Sequence, residues 1–345
     1  MTLETKLKLQ NILLIMGITL IFGVLYNFFF YPHTVTEFLE ASTISLVMGL
    51  IIGVLEEFTF KIFFQKKSFF QVSVIRTILY SLLISMILCL VLSIEDTFIK
   101  EISYPEAVIQ YLSGSFFQRD FLFSLGFIII ILFIVQVIQL IGKANFFKLM
   151  LGLYHKPHEV SRIFMFLDLK GSTAIAERLT HKAYSTLIKD FFFDISDAIV
   201  MFKGQVYQYA GDEIIVTWRI RKKNSNCIRT FFKIQEIIKN KRETYIDKFG
   251  FVPEFKAGIH SGHVMVTTVG KHKKEIAYHG DVLNTTARIE GKCNELEQSL
   301  LISESILPYI NQEKDFIVEE KGQVVLKGKL QKLNLYGVKV AVKRE

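Results

Sequence analysis

Four long apolar stretches in the first 142 residues constrain this chain more than any other feature. They cover about residues 12–30, 41–55, 78–94 and 121–141. A helix needs about 20 apolar residues to cross a bilayer core of ~30 Å, and these stretches reach or approach that length. The second is short, and it extends toward residue 60 past Glu56 and Glu57. A cleaved signal peptide does not describe the first. Its apolar core is too long, and no small-residue cleavage site follows it.

Charge in the connections sets the expected orientation. Lys6 and Lys8 precede the first stretch, and residues 31–40 hold no Lys or Arg. The second connection carries Lys61, Lys66, Lys67 and Arg76. The third holds only Lys100 and Arg119, among Glu95, Asp96, Glu101, Glu106 and Asp120. Lys143 and Lys148 follow the fourth stretch. The positive-inside rule places both termini in the cytoplasm, and an even number of spans agrees. The expectation is an integral protein of a bacterial-type inner or plasma membrane. No stretch has an ionisable residue at its centre, which disfavours a charged relay or an ion path. The spans read as an anchor, a dimerisation surface or a sensor. Gly49 and Gly53 form a small-xxx-small pair suited to close helix packing, though chance also yields such pairs in apolar runs.

Hydrophobic residues make up 51% of the chain and the mean hydropathy is +0.36, too apolar for one soluble globule. The charge is placed elsewhere. The first 150 residues carry as many Lys and Arg as Asp and Glu, so the net +8 falls wholly on the remainder. A basic soluble half suits a polyanionic partner, or else a solubilising surface near a membrane. The three cysteines, Cys89, Cys227 and Cys293, have neither zinc-site spacing nor a disulfide framework.

Residues 143–160, KANFFKLMLGLYHKPHEV, read as a linker. Its amphipathic front is able to continue the fourth helix until Gly152 and Pro157 break it. The expected division is therefore a four-helix membrane domain over 1–142, a cytoplasmic linker helix over 143–160 and a second domain over 161–345.

Beyond the break the pattern becomes α/β. Residues 162–167, RIFMFL, form an apolar run of strand length. Residues 173–202 read as one long helix and 226–247 as another. Strands are expected at 205–209 and 213–218 around a tight Ala210-Gly211-Asp212 turn, and at 254–258, 264–269, 275–279, 300–303 and 335–340. Residues 281–293 read as a helix. Alternation without βαβ regularity indicates an α+β sandwich.

Three elements carry chemistry. Asp168 follows the first strand in LDLKGST, where a carboxylate can hold a metal over phosphates. Gly171, Ser172 and Thr173 can offer backbone N–H groups at a helix start. In isolation a plain turn cap explains that motif better. Asp212 sits in YQYAGDEIIVTW, in a hairpin turn that Gly211 allows to be sharp. Two carboxylates presented at edges of one sheet suit a pair of divalent ions and phosphoryl transfer. In HGDVLNTTARIEGKCNE, Asn284 and Arg288 are four apart on one helix face, an amide and a guanidinium able to hold ribose and phosphoryl oxygens.

These elements occur together and in order, and there the sequence resembles the class III nucleotidyl cyclase catalytic domain over about residues 160–342. FLDLKGST resembles that family's first metal motif, YAGDEI its second, and GIHSGHV (258–264) its middle strand–turn segment. GDVLNTTARIE resembles its transition-state helix, and LKGK (326–329) its late basic strand. The resemblance implies a ferredoxin-like βαββαβ core and two Mg²⁺ or Mn²⁺ ions on Asp168 and Asp212. It also implies Asn284 on the ribose, Arg288 on the α-phosphate, and Lys327 or Lys329 on the terminal phosphates. In that family two catalytic domains share each site, so the implied partners are ATP and a second copy of this chain. The membrane is a third, and no nucleic acid is expected.

The sequence departs from the family at the base. Gln208 stands where a purine-reading Lys is usual, and Ala277 where Asp or Thr is usual. The guanylyl pair, Glu and Cys, is also missing, so the expectation is adenylyl cyclase activity. Guanylyl cyclase activity and a catalytically silent nucleotide-binding or dimerising module are the alternatives. A diguanylate cyclase, whose hairpin resembles AGDEI, lacks the NxxxR helix.

Overall fold

The computed structural model describes residues 3–30, 34–60, 69–220, 225–310, 316–325 and 332–341. The chain divides into two compact units, Met1–Met150 and Leu151–Glu345.

The first unit is helical. It comprises α1 (Leu3–Phe30), α2 (Val35–Leu55, running into a π-helical turn Glu56–Phe60), α3 (Phe69–Ile99), α4 (Tyr104–Ser113), α5 (Ser115–Ile141) and α6 (Lys143–Met150). Among the described residues, α1, α2, α3 and α5 are long and apolar enough to cross a membrane, with spans Lys8–Phe30, Val35–Phe58, Gln71–Ile99 and Ser115–Ile138. They run beyond the apolar stretches because polar residues at their ends also continue the helix. Met48, Tyr80, Ile84, Phe127 and Ile128 form the buried centre of the bundle. Gly49 and Gly53 do bring α2 onto α1. A Cβ on Gly49 would lie 2.7 Å from the Met16 Cα, and one on Gly53 would lie 3.2 Å from the Ile12 Cα.

Two features of this unit differ from the sequence reading. The third connection contains the short amphipathic α4, which buries Ala107 and Tyr111. The fourth span does not continue smoothly, because Gly142 at φ 81° separates α5 from α6.

The second unit is built on a sheet of eight described strands: β1 (His158–Leu169), β2 (Gln205–Ala210), β3 (Glu213–Arg219), β4 (Phe255–Val269), β5 (Glu275–His279), β6 (Leu300–Ser303), β7 (Phe316–Val325) and β8 (Lys332–Val340). The order is β2-β3-β1-β4-β6-β8-β7, with β5 paired to β4. Only β4 and β6 run parallel among the described pairs. The helices are α7 (Ser172–Arg178), α8 (His181–Met201), α9 (Asn226–Asn240), α10 (Arg242–Phe249) and α11 (Asp281–Gly291). β1, helices, β2, β3, helices and β4 make the ferredoxin-like βαββαβ core, in the order β2-β3-β1-β4.

β1 is apolar without alternation because both of its faces are covered. Ile163, Met165 and Leu167 point into one core with Leu187, Phe191 and Ile195 of α8 and Phe231 of α9. Phe164 and Phe166 point into the other, with Val264, Tyr278 and Val282. Each such side chain stabilises the fold by about 1.5–3 kcal/mol relative to exposure.

The two long helices read from sequence are each broken. Leu179 leaves the helical region at ψ 154°, and Thr180 caps α8 by accepting from the Ala183 N–H at 3.2 Å. Lys241 likewise separates α9 from α10. The expected strands at 254–258 and 264–269 are one continuous β4, so GIHSGHV holds no turn. Its glycines serve packing instead. A Cβ on Gly258 would fall 2.4 Å from the Glu290 backbone nitrogen, so α11 lies directly on the strand there. β7 and the 3₁₀ turn Glu304–Tyr309 were not legible in the apolar pattern.

Candidate active site

The end of β1 and the β2–β3 hairpin come together because β1 pairs antiparallel with β3, aligning Asp168 with Glu213. Asp212 is the last residue of the hairpin turn, and Gly211 at φ 66° supplies the left-handed backbone that the turn needs. The Asp168 and Asp212 carboxyl groups lie within hydrogen-bonding reach of each other. Asp212 turns between β2, the edge strand of the described sheet, and β3. Asp168 ends the strand between β3 and β4.

The electrostatics follow from this crowding. Burial, then Asp212, then Glu290 push the Asp168 carboxyl up to about 7. Burial, then Glu290 and Asp212, push Glu213 up to about 7 as well. The Tyr184 phenol, at the start of α8, is raised by burial and by Asp212 and Asp168. Among the described residues a buried cation answers these acids. Lys256, opposite Asp168 on β4, places its Nζ 2.8 Å from Glu290 and 3.9 Å from Asp168. Burial alone would lower the Lys256 pKa; the Glu290 hydrogen bond and the two carboxylates raise it above its usual range.

Lys256, Glu213, Glu290 and Tyr184 were missed by sequence reasoning. Lys256 precedes a recognisable motif by two residues, but only the β1–β4 register shows that it faces Asp168. Glu213 adjoins Asp212, and the apolar pattern marks it only as the first strand residue.

A pair of facing carboxylates in a half-buried position fits a hard divalent cation such as Mg²⁺ or Mn²⁺, which removes the repulsion that raises Asp168. Among the described residues no group of three or more His, Cys, Asp or Glu forms a closed cage. An open carboxylate pair leaves the remaining positions to water and phosphate, as Mg²⁺ prefers.

Gly171, at φ 66°, begins α7 ahead of Ser172 and Thr173, three residues beyond Asp168. Asn284 is exposed and Arg288 half-buried on α11. Among the described residues neither bonds to Asp168 or Asp212. The start of α11 packs Val282 against Gly262. Gly262 is six residues along β4 from Lys256, about 20 Å in an extended strand, but the end of α11 lies on Gly258, two residues from Lys256. Gln208 is exposed on β2 and Ala277 half-buried on β5. Their neighbours meet, the Tyr278 N–H donating to the Tyr207 hydroxyl at 3.4 Å. Lys327 and Lys329 lie outside the described residues.

Residues 153–339 match the family described as the adenylate and guanylate cyclase catalytic domain. Over 205 residues the chain is 34% identical to adenylate cyclase 2 of Rhizobium meliloti (strain 1021), a match covering 59% of this chain and 56% of that protein. It is 24% identical over 166 residues to the receptor-type guanylate cyclase gcy-28 of Caenorhabditis elegans, covering 48% of this chain and 13% of the relative. The chain thus spans about half or less of the length of these curated relatives. A solved bacterial light-regulated adenylyl cyclase shares the fold, with a TM-score of 0.53 and 20% identity over 63% of this chain and 65% of that one.

Proposed function

The chain belongs to the family of adenylate and guanylate cyclase catalytic domains, and from that premise we propose that it converts ATP to 3′,5′-cyclic AMP and pyrophosphate at a site shared between two copies. The observation that carries this reading is the convergence of Asp168 and Asp212. These two carboxylates would hold two Mg²⁺ or Mn²⁺ ions. When bound, such ions acidify a ribose hydroxyl and neutralise a triphosphate.

The 3′-oxygen attacks the α-phosphorus in line, the bond to the β-phosphate bridge breaks, and pyrophosphate leaves. Asn284 orients the ribose, and Arg288 stabilises the charge that develops on the α-phosphate. A partner's α11 would bring these two side chains to the acid pair, as the family resemblance implies. Amides at Gly171, Ser172 and Thr173 face phosphate oxygens. Lys327 or Lys329 grips the terminal phosphates. Gln208 reads the adenine edge, since its amide both donates and accepts, and Ala277 packs against the base.

The four apolar helices anchor the chain in a membrane, in the orientation given by the Lys-rich second connection, with the catalytic unit in the cytoplasm.

The test is product identification with detergent-purified chain, Mn²⁺ and equimolar ATP and GTP. Cyclic AMP should dominate. Dominant cyclic GMP overturns the adenylyl assignment, and no cyclic nucleotide from either substrate overturns the cyclase reading.

A further inference from the structure

The first unit encloses a cavity of about 150 Å³ between α1, α2, α3 and α5. It lies toward the end of the bundle opposite Ile141, because it takes in the end of α1, the start of α2, the end of α3 and the start of α5. Its throat is apolar and aromatic, with Phe22, Phe123 and Phe127 among its walls. Its mouth is acidic, with Glu37, Glu40, Glu95 and Asp120.

These acids are not equivalent. Asp120 is already satisfied: Arg119 lies 2.9 Å from it, Tyr111 donates to it at 2.9 Å, and Tyr26 donates to it as well. Glu37, Glu40 and Glu95 form no salt bridge among the described residues; Lys100, which acts on Glu95 from a distance, is bridged to Asp96 at 2.9 Å. Asn27 supplies an independent observation. It is 4% exposed and lines the cavity, its Nδ2 donates to the Glu37 carbonyl, and its Oδ1 accepts nothing. A buried acceptor left unsatisfied next to unpaired carboxylates calls for a donor carrying positive charge.

We propose that this cavity binds a small organic monocation, an ammonium group carried on one aromatic ring or short hydrocarbon. The ammonium sits among Glu37, Glu40 and Glu95 and donates to Asn27 Oδ1. The apolar body fills the throat, against Phe22, Phe123 and Phe127. The volume suits a body about the size of benzene. A hydrated metal ion gains nothing from the apolar throat, and an anionic lipid headgroup is repelled at the mouth. In the membrane orientation proposed above, the mouth faces the side opposite the cytoplasm; binding itself does not depend on the cyclase reading.

The experiment uses the full chain in lipid nanodiscs and ligand-observed saturation-transfer NMR, with empty nanodiscs as reference. The probes are 2-phenylethylammonium, neutral 2-phenylethanol and anionic phenylacetate. The ammonium should bind saturably, and the other two more weakly by about tenfold or more. Glu40→Gln with Glu95→Gln should weaken the ammonium by about tenfold while leaving the alcohol unchanged. Both positions are at the mouth, so the variant is not expected to disturb the helices, and circular dichroism checks this. Asn27→Leu should likewise weaken the ammonium selectively. Equal binding of all three probes, unsaturable uptake matching empty nanodiscs, or unchanged ammonium affinity in the double variant overturns the proposal.

Discussion

Lys256 Nζ stands 2.8 Å from Glu290 Oε1, joining β4 to the last turn of α11 directly behind the Asp168 carboxylate. Both side chains are about nine-tenths buried. Removing one partner of such a pair strands a charge at a cost of several kcal/mol, whereas removing both costs far less. Lys256→Met should therefore lower stability by roughly 3 kcal/mol. The double variant Lys256→Met, Glu290→Gln should regain a large part of that. Chemical denaturation followed by Trp218, the chain's single tryptophan and a buried residue of β3, reads the catalytic unit alone. Strictly additive losses would show that the pair is not coupled.

Gly258 and Gly291 test the seating of α11. A Cβ at Gly258 meets the Glu290 backbone at 2.4 Å, while one at Gly291 meets nothing within 4 Å. Gly258→Ala should destabilise by about 1–3 kcal/mol, because the helix must lift from the strand. Gly291→Ala should be neutral or stabilising by up to about 1 kcal/mol. Equal effects at both positions would contradict the close approach.

The acid pair makes stability depend on pH. Asp168 and Glu213 titrate near 7 in the folded chain, well above their ordinary values. Below pH ~3 both states are protonated. As pH rises from there to 7, the unfolded chain sheds these protons first, so the native state loses stability, and the loss is complete above 7. With divalent ions chelated, the Trp218-monitored melting temperature should be lower at pH 8 than at pH 5.5. Asp212→Asn should shrink that difference by removing a neighbouring charge, and Mn²⁺ should shrink it in the unmutated chain. A pH dependence identical in the variant would locate the effect elsewhere.

Sharing of the site predicts complementation. Asp168→Ala and Arg288→Ala should each reduce cyclase activity by roughly a hundredfold or more. Chains carrying one change mixed with chains carrying the other should recover part of it, since one of the two sites in a mixed dimer keeps every group. Absence of recovery in dimers shown to be mixed would mean that each chain completes its own site.

Much of this protein is written in short-range pattern. Apolar runs long enough for a bilayer yield the four helices without any tertiary information, because length and composition are local properties. The hairpin around Gly211 and the strand ending at Asp168 are local too, and so were legible. Helix breaks at Thr180 and Lys241 were missed because apolar periodicity runs straight through them, and the capping hydrogen bond at Thr180 depends on a backbone turn that no pattern marks. Pairing belongs to the fold. Lys256 faces Asp168 only through the β1–β4 register, and Glu290 reaches Lys256 only because Gly258 lets α11 touch the strand. Likewise Asn27, Glu40 and Glu95 lie far apart in sequence and meet only where three helices pack. A one-residue slip in a strand, or one turn in a helix, would separate these groups. Local sequence therefore determined which elements exist, and long-range packing decided which charges confront one another.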